Sequence, residues 1–205
     1  MSSNPASRAE TRQATIDRLI AAARIAFSEQ GFAATSLDRL AEAAMVTRGA
    51  LHHHFTDKTG LFEAVVRRID AEITVELQGV WLASTDAWDG LRSCFHLYLD
   101  ALLRADRKRI LLQDAPGVLG MKAFDILAES GMDELIADLA TLVANRRLTA
   151  PDGEALAHLL NGAIANLAFW AAEGAEDESR LPRAHATLAA LFDGLDRGDP
   201  GPAPD

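Results

Sequence analysis

The chain has 205 residues, of which 49% are hydrophobic, and a formal net charge of −10. This length allows a core that needs no covalent cross-links, and the single cysteine, Cys94, excludes an internal disulfide. No apolar run follows the polar opening residues, and none reaches the length of a membrane span. We therefore expect a cytoplasmic protein without a secretion signal or a membrane partner.

The negative charge is unevenly distributed along the chain. Through residue 70, nine lysines and arginines accompany eight acidic residues, whereas the remainder has eleven against twenty-two. The N-terminal part is therefore nearly neutral, and the overall acidity does not exclude a nucleic-acid partner for it. Because a nearly neutral surface attracts DNA weakly, we expect affinity to depend on local contacts and on two copies binding together.

Three helices are predicted in the N-terminal part. The first extends from about Glu10 to Gln30, and Gly31 ends it as a left-handed cap. The second covers about Ser36 to Ala44, with apolar residues at spacings of three and four and a possible cap at Thr35 or Ser36. The third follows after a short turn.

The third predicted helix is short and polar on its outer side. Thr47 can cap its N-terminus, Leu51 and Phe55 point inward, and the first turn has the small or basic residues RGA. A helix that reads DNA needs such a first turn, because its N-terminal residues must reach base edges in the major groove. The pattern therefore predicts a DNA-reading helix.

The segment TSLDRLAEAAMVTRGALHHHFTDKTGLF, preceded by IAAARIAFSEQGF, resembles the N-terminal domain of the TetR family of bacterial transcriptional regulators. The match covers about Thr11 to Ile69 and includes the pair Asp57-Lys58 at the start of the next helix. The chain departs from the family at Met45, in a turn position that members usually fill with glycine, so we expect a positive φ and some strain there. The resemblance implies a helix-turn-helix domain that binds DNA.

The DNA contacts are predicted from this pattern and from the resemblance. Arg48 is the candidate for a base contact, with guanine as its natural partner. Lys58 can offer a phosphate its charge and a neighbouring helix N-terminus. The complete predicted set of DNA-binding residues is Thr35, Ser36, Thr47, Arg48, Gly49, Ala50, His52, His53 and Lys58, of which Thr35, Ser36, His53 and Lys58 are expected to hold phosphates.

Helical periodicity continues through the rest of the chain. Asp57 is expected to cap a long helix from about Lys58 to Leu77, which by the resemblance joins two domains. Pro116 and Gly117 are expected to break the chain. Further helices are predicted at about Trp88 to Arg104, Asp106 to Gln113, Gly120 to Asn145 with a break at Gly131, Pro151 or Asp152 to Glu173, and Leu181 to Leu195. The segment RKRILLQDAPGVLG also resembles a C-terminal domain of one subgroup of the TetR family.

The predicted fold is therefore all-α, with two domains. A three-helix helix-turn-helix DNA-binding domain occupies residues 1–60, and a long helix joins it to a helical ligand-binding and dimerisation domain in residues 61–196. Residues 197–205 are rich in proline and glycine and are predicted to form a disordered tail.

The last two predicted helices have apolar and small residues that favour helix pairing. Paired with the same two helices of a second copy, they would form a four-helix bundle with two-fold symmetry. We therefore predict a homodimer, which lets a DNA reader span two half-sites one helical turn apart; packing only within their own domain is the alternative. The predicted interface residues are Leu156, Leu160, Ile164, Leu188, Leu191, Phe192 and Leu195.

Aromatic and aliphatic residues of the C-terminal domain, with a few polar ones near them, have the composition of a small-molecule site, although each is also compatible with a simple core. The predicted set is Phe95, Tyr98, Leu99, Leu102, Gln113, Phe124, Leu127, Asn166, Phe169 and Trp170. The family resemblance implies an effector that binds here and shifts the dimer away from DNA, with a coupling free energy of about 1 to 3 kcal/mol.

Metal binding and catalysis are disfavoured. Successive helical residues diverge by about 100°, so no more than two of His52, His53 and His54 could share an ion. The sequence has no glycine-rich phosphate loop and no nucleophile elbow, so we expect no metal, no cofactor and no enzyme.

The predicted function is a transcriptional repressor that binds a palindromic double-stranded DNA operator as a homodimer and is released by a small-molecule effector. The alternative is a helical dimeric binding or scaffold protein that does not bind DNA.

Overall fold

A computed structural model describes residues 5–173 and 179–198, and each regular element within these ranges is helical, as predicted. The elements in chain order are α1 (Pro5–Ala34), α2 (Leu37–Ala43), α3 (Arg48–His54), α4 (Lys58–Ala83), α5 (Ala87–Leu103), α6 (Ala105–Lys108), the π-helix π1 (Arg109–Asp114), α7 (Ala115–Leu119), α8 (Met121–Glu129), α9 (Met132–Ala144), α10 (Gly153–Glu173) and α11 (Arg180–Leu195). Of the predicted disordered tail, residues 199–205 lie outside the described ranges, and Arg197 donates its N–H to the carbonyl oxygen of Arg147 at 3.0 Å.

The helices pack as two compact units. The first contains the chain up to Asp70 together with Ala105–Phe124, and the second contains Ala71–Arg104 together with the chain from Asp125. The first unit therefore extends past the predicted boundary at residue 60. It also includes a segment that the sequence places in the C-terminal domain.

The core of the first unit joins α1 to the three helices that follow it. The Phe27 ring lies edge-on to Phe62 at a centroid distance of 5.0 Å and stacks on Phe32 at 5.9 Å. Leu40 of α2 and Leu51 of α3 are buried, which fixes the inner faces of both short helices. Burying such side chains stabilises the fold by roughly 1.5 to 3 kcal/mol each.

The predicted chain break at Pro116 and Gly117 is wrong. Pro116 lies in the first turn of α7, where its missing N–H removes no necessary hydrogen bond. The predicted helix from Asp106 to Gln113 is instead the short α6 followed by π1. The helical path ends at Gly120, whose φ of +60° lies in the region that favours glycine.

The second unit is a bundle in which α10 packs against α5, α9 and α11. Phe192 lies edge-on to Trp88 and to Phe95, each at a centroid distance of 5.3 Å. At the start of α10, a Cβ on Gly153 would lie 2.5 Å from the Cα of Ala140, so the two backbones approach too closely for any side chain. Gly131, with a φ of +85°, separates α8 from α9 at the predicted break.

A pair of histidines joins α5 to α11 in the second unit. The Nδ1 atoms of His96 and His185 are 2.7 Å apart, and the Nε2 of His185 lies 2.8 Å from an Asp100 carboxylate oxygen. Beside them, Arg92 forms an ion pair with Asp193 at 2.6 Å. Burial lowers the pKa of His96 below its ordinary value of 6.5, and the neighbouring His185 lowers it further.

Helix α10 is long and apolar enough to cross a membrane by length and composition alone. Core helices of globular proteins meet the same criterion, and α10 packs against three other helices of its unit. Its face includes Asn161 and Asn166, which interrupt the apolar run. The criterion therefore gives no argument for a membrane protein.

Candidate nucleic-acid interface

The turn between α2 and α3 closes α2 without a glycine. The N–H of Val46 donates to the carbonyl oxygen of Ala41, and the N–H of Met45 donates to Glu42, both at 2.9 Å. This pair of bonds is the Schellman motif, which needs a left-handed residue after the helix. Met45 supplies it with a φ of +54° and leaves 80% of its surface exposed. The expected positive φ at this turn is present.

Helix α3 presents a small and polar outer face. The Thr47 hydroxyl oxygen accepts a hydrogen bond from the N–H of Ala50 at 3.1 Å, so the predicted cap is confirmed. Leu51 is completely buried and anchors the opposite side. Gly49 has open space where a side chain would be, because the nearest atom to an added Cβ would be the Thr47 hydroxyl oxygen at 3.9 Å. The exposed residues of this face are Thr47, Arg48, Gly49, His52 and His53.

Arg48 is held by an acidic residue of α2. Its guanidinium lies 3.1 Å from the carboxylate of Asp38, and both side chains are mostly exposed. An exposed ion pair of this kind contributes about 0 to 1 kcal/mol, which is little compared with a base contact. The pair therefore orients Arg48 beside α3 without preventing it from turning to another anion.

His54, at the end of α3, points away from the outer face. Its Nδ1 is buried and has no hydrogen-bond partner in the described part of the chain. Burial lowers the pKa of His54, and the neighbouring His53 and Arg12 lower it further. The neutral imidazole is therefore the favoured form, consistent with an internal packing role.

Thr35 and Lys58, two of the predicted phosphate contacts, have hydrogen-bond partners inside the first unit. Thr35 is buried, and its hydroxyl donates to the carbonyl oxygen of Gly31 at 2.8 Å. The Lys58 ammonium donates to the carbonyl oxygens of Phe32 at 2.8 Å and Thr35 at 3.0 Å, and lies 4.3 Å from the centre of the Phe32 ring. These contacts engage the donors that a phosphate would need. Ser36 is exposed and forms no side-chain capping bond.

Two residues not singled out from the sequence bind the end of α1. Arg109 donates to the carbonyl oxygens of Glu29 and Gln30 at 3.0 and 3.1 Å, and Asp114 accepts the N–H of Phe32 at 2.8 Å. These partners are about 80 residues away along the chain, so no local pattern points to them. The Asp38–Arg48 pair was missed because it joins residues on different helices.

The predicted ligand-binding residues do not all belong to one unit. Gln113 and Phe124 lie in the first unit, where Gln113 is exposed, whereas the other eight belong to the second. Within the second unit, Phe95, Leu99 and Leu102 are buried core residues. Asn166 is exposed, and the half-buried members are Tyr98, Leu127, Phe169 and Trp170. Trp170 is covered in part by the guanidinium groups of Arg180 and Arg183, at 5.1 and 5.2 Å from its ring.

Most of the predicted dimer residues are already buried within the single chain, which leaves little of their surface for a second copy. These are Leu156, Leu160, Ile164, Leu188 and Phe192. Hydrophobic periodicity identifies the apolar face of a helix but not which neighbour covers it. Leu191 is 39% exposed and Leu195 is half-buried.

The outward faces of α10 and α11 are formed by other residues. Leu159 of α10 is 59% exposed, and small residues follow it at helical spacing. On α10 the exposed stripe is Leu159, Gly162, Ala163 and Asn166, and on α11 it is Ala186, Thr187, Ala190, Leu191 and Gly194.

Known families and proteins match both parts of the chain. Residues 19–65 match the family described as bacterial regulatory proteins, tetR family, and residues 88–195 match the tetracyclin repressor-like, C-terminal domain. The Transposon Tn10 TetC protein of Escherichia coli is 32% identical over 167 residues, which cover 79% of this chain and 82% of that protein. The HTH-type transcriptional repressor AcnR of Corynebacterium diphtheriae is 32% identical over 96 residues, covering 43% of this chain and 50% of AcnR.

A solved structure also matches over nearly the whole chain. It is a TetR-family transcriptional regulator from Pectobacterium atrosepticum, with 38% sequence identity and a TM-score of 0.81. The match covers 96% of this chain and 100% of that one. The similarity therefore extends through both units.

Proposed function

Because this chain belongs to the TetR family of DNA-binding transcriptional regulators, we propose that it is a repressor that binds a palindromic operator as a homodimer and is released by a small-molecule effector. One observation carries the proposal: the outer face of α3 begins at a capped Thr47 and presents small and basic residues around an anchored Leu51. The relative AcnR is a transcriptional repressor, which supports the proposed direction of regulation. The protein acts in the cytoplasm, where its operator lies.

Arg48 is the proposed base-reading residue. Its side chain is 69% exposed and forms an exposed ion pair with Asp38, which it can leave for the acceptor atoms O6 and N7 of a guanine. Gly49 and Ala50 add no bulk between α3 and the bases. Thr47 and His52 lie on the same face and can contact neighbouring bases or phosphates.

The proposed phosphate contacts are Ser36 and His53, which are both exposed. Thr35 and Lys58 act indirectly, because their side chains hold the backbone just before α2. Removing Lys58 would leave carbonyl oxygens at the end of α1 without their charged donor, so its loss would destabilise the unit as well as weaken DNA binding.

The proposed dimer interface is the outward stripe of α10 and α11. Small residues there allow close helix approach, and exposed Leu159 and Leu191 supply apolar area. A two-fold interface places the same patch of each copy against the other, and this symmetry matches a palindromic operator.

The proposed effector site lies in the second unit, beside the half-buried residues Tyr98, Leu127, Phe169 and Trp170. Aromatic side chains with nearby polar groups are typical of small-molecule sites. An effector that binds the DNA-free arrangement more tightly shifts the dimer away from the operator, and the coupling is reciprocal. A metabolite screen by thermal shift identifies it, since a ligand at 100 times its Kd adds about 2.7 kcal/mol to stability.

The test of DNA binding is a mobility-shift titration on the region upstream of the chain's own coding sequence. We expect Arg48→Ala to cost about 1 to 3 kcal/mol in affinity and to relax specificity at one position in each half-site. Arg18→Ala is the matched control, because Arg18 is an exposed arginine of α1. Equal losses on the operator and on altered half-sites would remove Arg48 as the base reader. Wild-type protein that binds no fragment at all would favour the scaffold alternative.

A further inference from the structure

The backbone from the last turns of α1 to the residue before Ser36 is held by side chains from distant parts of the first unit. We define residues 29–35 as the elbow. Arg109 binds the carbonyl oxygens of Glu29 and Gln30, and Asp114 binds the N–H of Phe32. A third side chain, Lys58, also holds this backbone, because its ammonium group donates to the carbonyl oxygens of Phe32 and Thr35. Arg109 and Asp114 thus fix the start of the elbow, and Lys58 fixes its end.

Gly31 lies at the centre of the elbow, at a position that only glycine fits. Its φ of +80° and ψ of 167° lie in a region that is essentially restricted to glycine. A Cβ at this position would lie 2.6 Å from the Nη2 of Arg109, so the guanidinium occupies the space of a side chain. The sharp kink at Gly31 within α1 and the position of Arg109 therefore depend on each other.

The π-helix explains how Arg109 and Asp114 reach the same elbow. They are five residues apart, and on an α-helix five residues place side chains about 140° apart. In a π-helix the hydrogen bonds join residues five apart, so such side chains lie on the same face. The N–H of Ala115 donates to the carbonyl oxygen of Ile110, which is this π pattern. The irregular register thus places both charged groups against the elbow.

We propose that Arg109 and Asp114 are positioning residues for DNA binding: through the π register of π1 they set the elbow, and the elbow sets the position of α2 and α3 on α1. Neither residue touches DNA in this proposal. The elbow leads directly into Ser36 and α2, so a change in its backbone moves the helix-turn-helix as a whole. The inference rests on the DNA-binding function proposed above.

The first test measures operator affinity of the full-length protein by fluorescence anisotropy. Arg109→Gln and Asp114→Asn each remove a charged hydrogen-bonding group, and we expect each to weaken operator binding about tenfold. Arg109→Lys can still reach one carbonyl oxygen and should fall between Arg109→Gln and the wild type. Affinity unchanged in both Arg109→Gln and Asp114→Asn would overturn the proposal.

Arg24→Gln is the matched control. Arg24 of α1 forms an ion pair with Asp106 of α6 at 2.6 Å, so it joins α1 to the same segment as Arg109 does, through a carboxylate and not through the backbone of the elbow. We expect its operator affinity to remain within about twofold of the wild type, because the loss of this ion pair leaves the contacts of Arg109 and Asp114 with the elbow in place. If Arg24→Gln weakened binding as much as Arg109→Gln, the segment would act only as a general brace and the positioning role would be wrong.

A second measurement needs no DNA and separates this inference from the proposed function. Hydrogen–deuterium exchange of the free protein should rise in residues 31–36 for Arg109→Gln and Asp114→Asn, while the earlier turns of α1 remain protected. Arg24→Gln should leave exchange of residues 31–36 unchanged. Exchange that rises throughout the first unit would indicate general destabilisation and contradict the proposal. If wild-type protein bound no operator but this local exchange pattern appeared, the elbow clamp would stand and the proposed function would fail.

Discussion

At the scale of single residues, the DNA-reading face depends on which charged side chains are already engaged. Arg48 has one exposed carboxylate partner, whereas Lys58 has carbonyl partners inside the unit. The two residues are basic and lie ten positions apart, yet one is available to an anion and the other holds backbone. Sequence alone predicts a DNA contact for both, because each is a basic residue next to a helix N-terminus.

The Asp38–Arg48 pair leads to a residue-scale prediction. Asp38→Asn removes the carboxylate that competes with DNA for Arg48 and reduces repulsion of nearby phosphates. We expect severalfold tighter binding to operator and to unrelated DNA alike, because electrostatic attraction to phosphates is independent of sequence. Anisotropy titrations on both duplexes measure it. Glu42→Gln, an exposed acidic residue of the same helix, is the control for the charge change alone; if it tightened binding equally, the effect would not come from Arg48.

At the scale of elements, two close contacts define how helices of the second unit pair. Gly153 lets the start of α10 approach the backbone of α9, and the histidine pair joins α5 to α11. The first contact has a purely steric basis. The second depends on protonation, so the two contacts respond to different perturbations.

The glycine contact predicts a large effect from one methyl group. Gly153→Ala would place a Cβ 2.5 Å from the backbone of Ala140, which cannot move aside as a side chain could. We expect a loss of about 1 to 3 kcal/mol in the free energy of unfolding, measured by denaturant titration. Gly79→Ala, in α4, has no atom within 4 Å of the added methyl and should be neutral or stabilising by up to about 1 kcal/mol. Equal stability of the two variants would contradict the close approach.

The histidine pair predicts a pH dependence. Two nitrogens 2.7 Å apart can share one proton, and a second proton would place two N–H groups against each other. Because burial lowers the pKa of His96 in the folded state, the unfolded chain binds this proton more readily. The stability that the neutral histidine pair contributes is therefore fully present above pH 6.5, the ordinary pKa of histidine. It is lost as the pH falls from 6.5 towards the lower pKa of His96 in the folded state.

Thermal unfolding between pH 5 and 7.5 tests this dependence. His96→Gln removes the titrating group and should flatten the loss of stability below about pH 6.5. The charged groups around the pair, Arg92, Asp100 and Asp193, remain in this variant. His158→Gln, at an exposed position of α10, should keep the wild-type slope. A wild-type slope in His96→Gln would remove the histidine pair as its cause.

At the scale of the whole molecule, the proposed function requires two copies that act together. The N-terminal part has nearly equal numbers of basic and acidic residues, so one copy attracts DNA weakly. A dimer doubles the contacts, and the fixed arrangement of its two α3 helices makes the second half-site contact effectively intramolecular. The rest of the chain, with its excess of acidic residues, keeps non-specific attraction to DNA low.

The proposed dimer face gives the prediction at this scale. Ala190→Glu places a charge in the small, exposed stripe of α11 and should convert the protein to monomers, as measured by light scattering after gel filtration. Operator affinity should fall with it, because each copy then binds a half-site alone. Ala137→Glu, at an exposed position of α9, is the control and should remain a dimer. If Ala190→Glu also remained a dimer, the interface would lie elsewhere.

The sequence by itself determined the features that depend on neighbouring residues. Apolar spacing predicted the helices and Thr47 marked the start of α3, because periodicity and capping involve residues within about one turn of each other. Gly31 was predicted to end α1, but the structure places a kink there and continues the helix to Ala34. These local signals also identified the helix-turn-helix and the family. The prediction of DNA-contacting residues on α3 follows from them.

Only the tertiary structure decided which side chains meet across the chain. Lys58 and Thr35 turned inward, Leu160 and Phe192 were covered by their own chain, and Arg109 and Asp114 reached the end of α1. A helix has one apolar stripe whether its own chain or a second copy covers it, so periodicity cannot distinguish the two. The contacts of Arg109 depend on a π register and on partners about 80 residues away, and no short-range pattern encodes either.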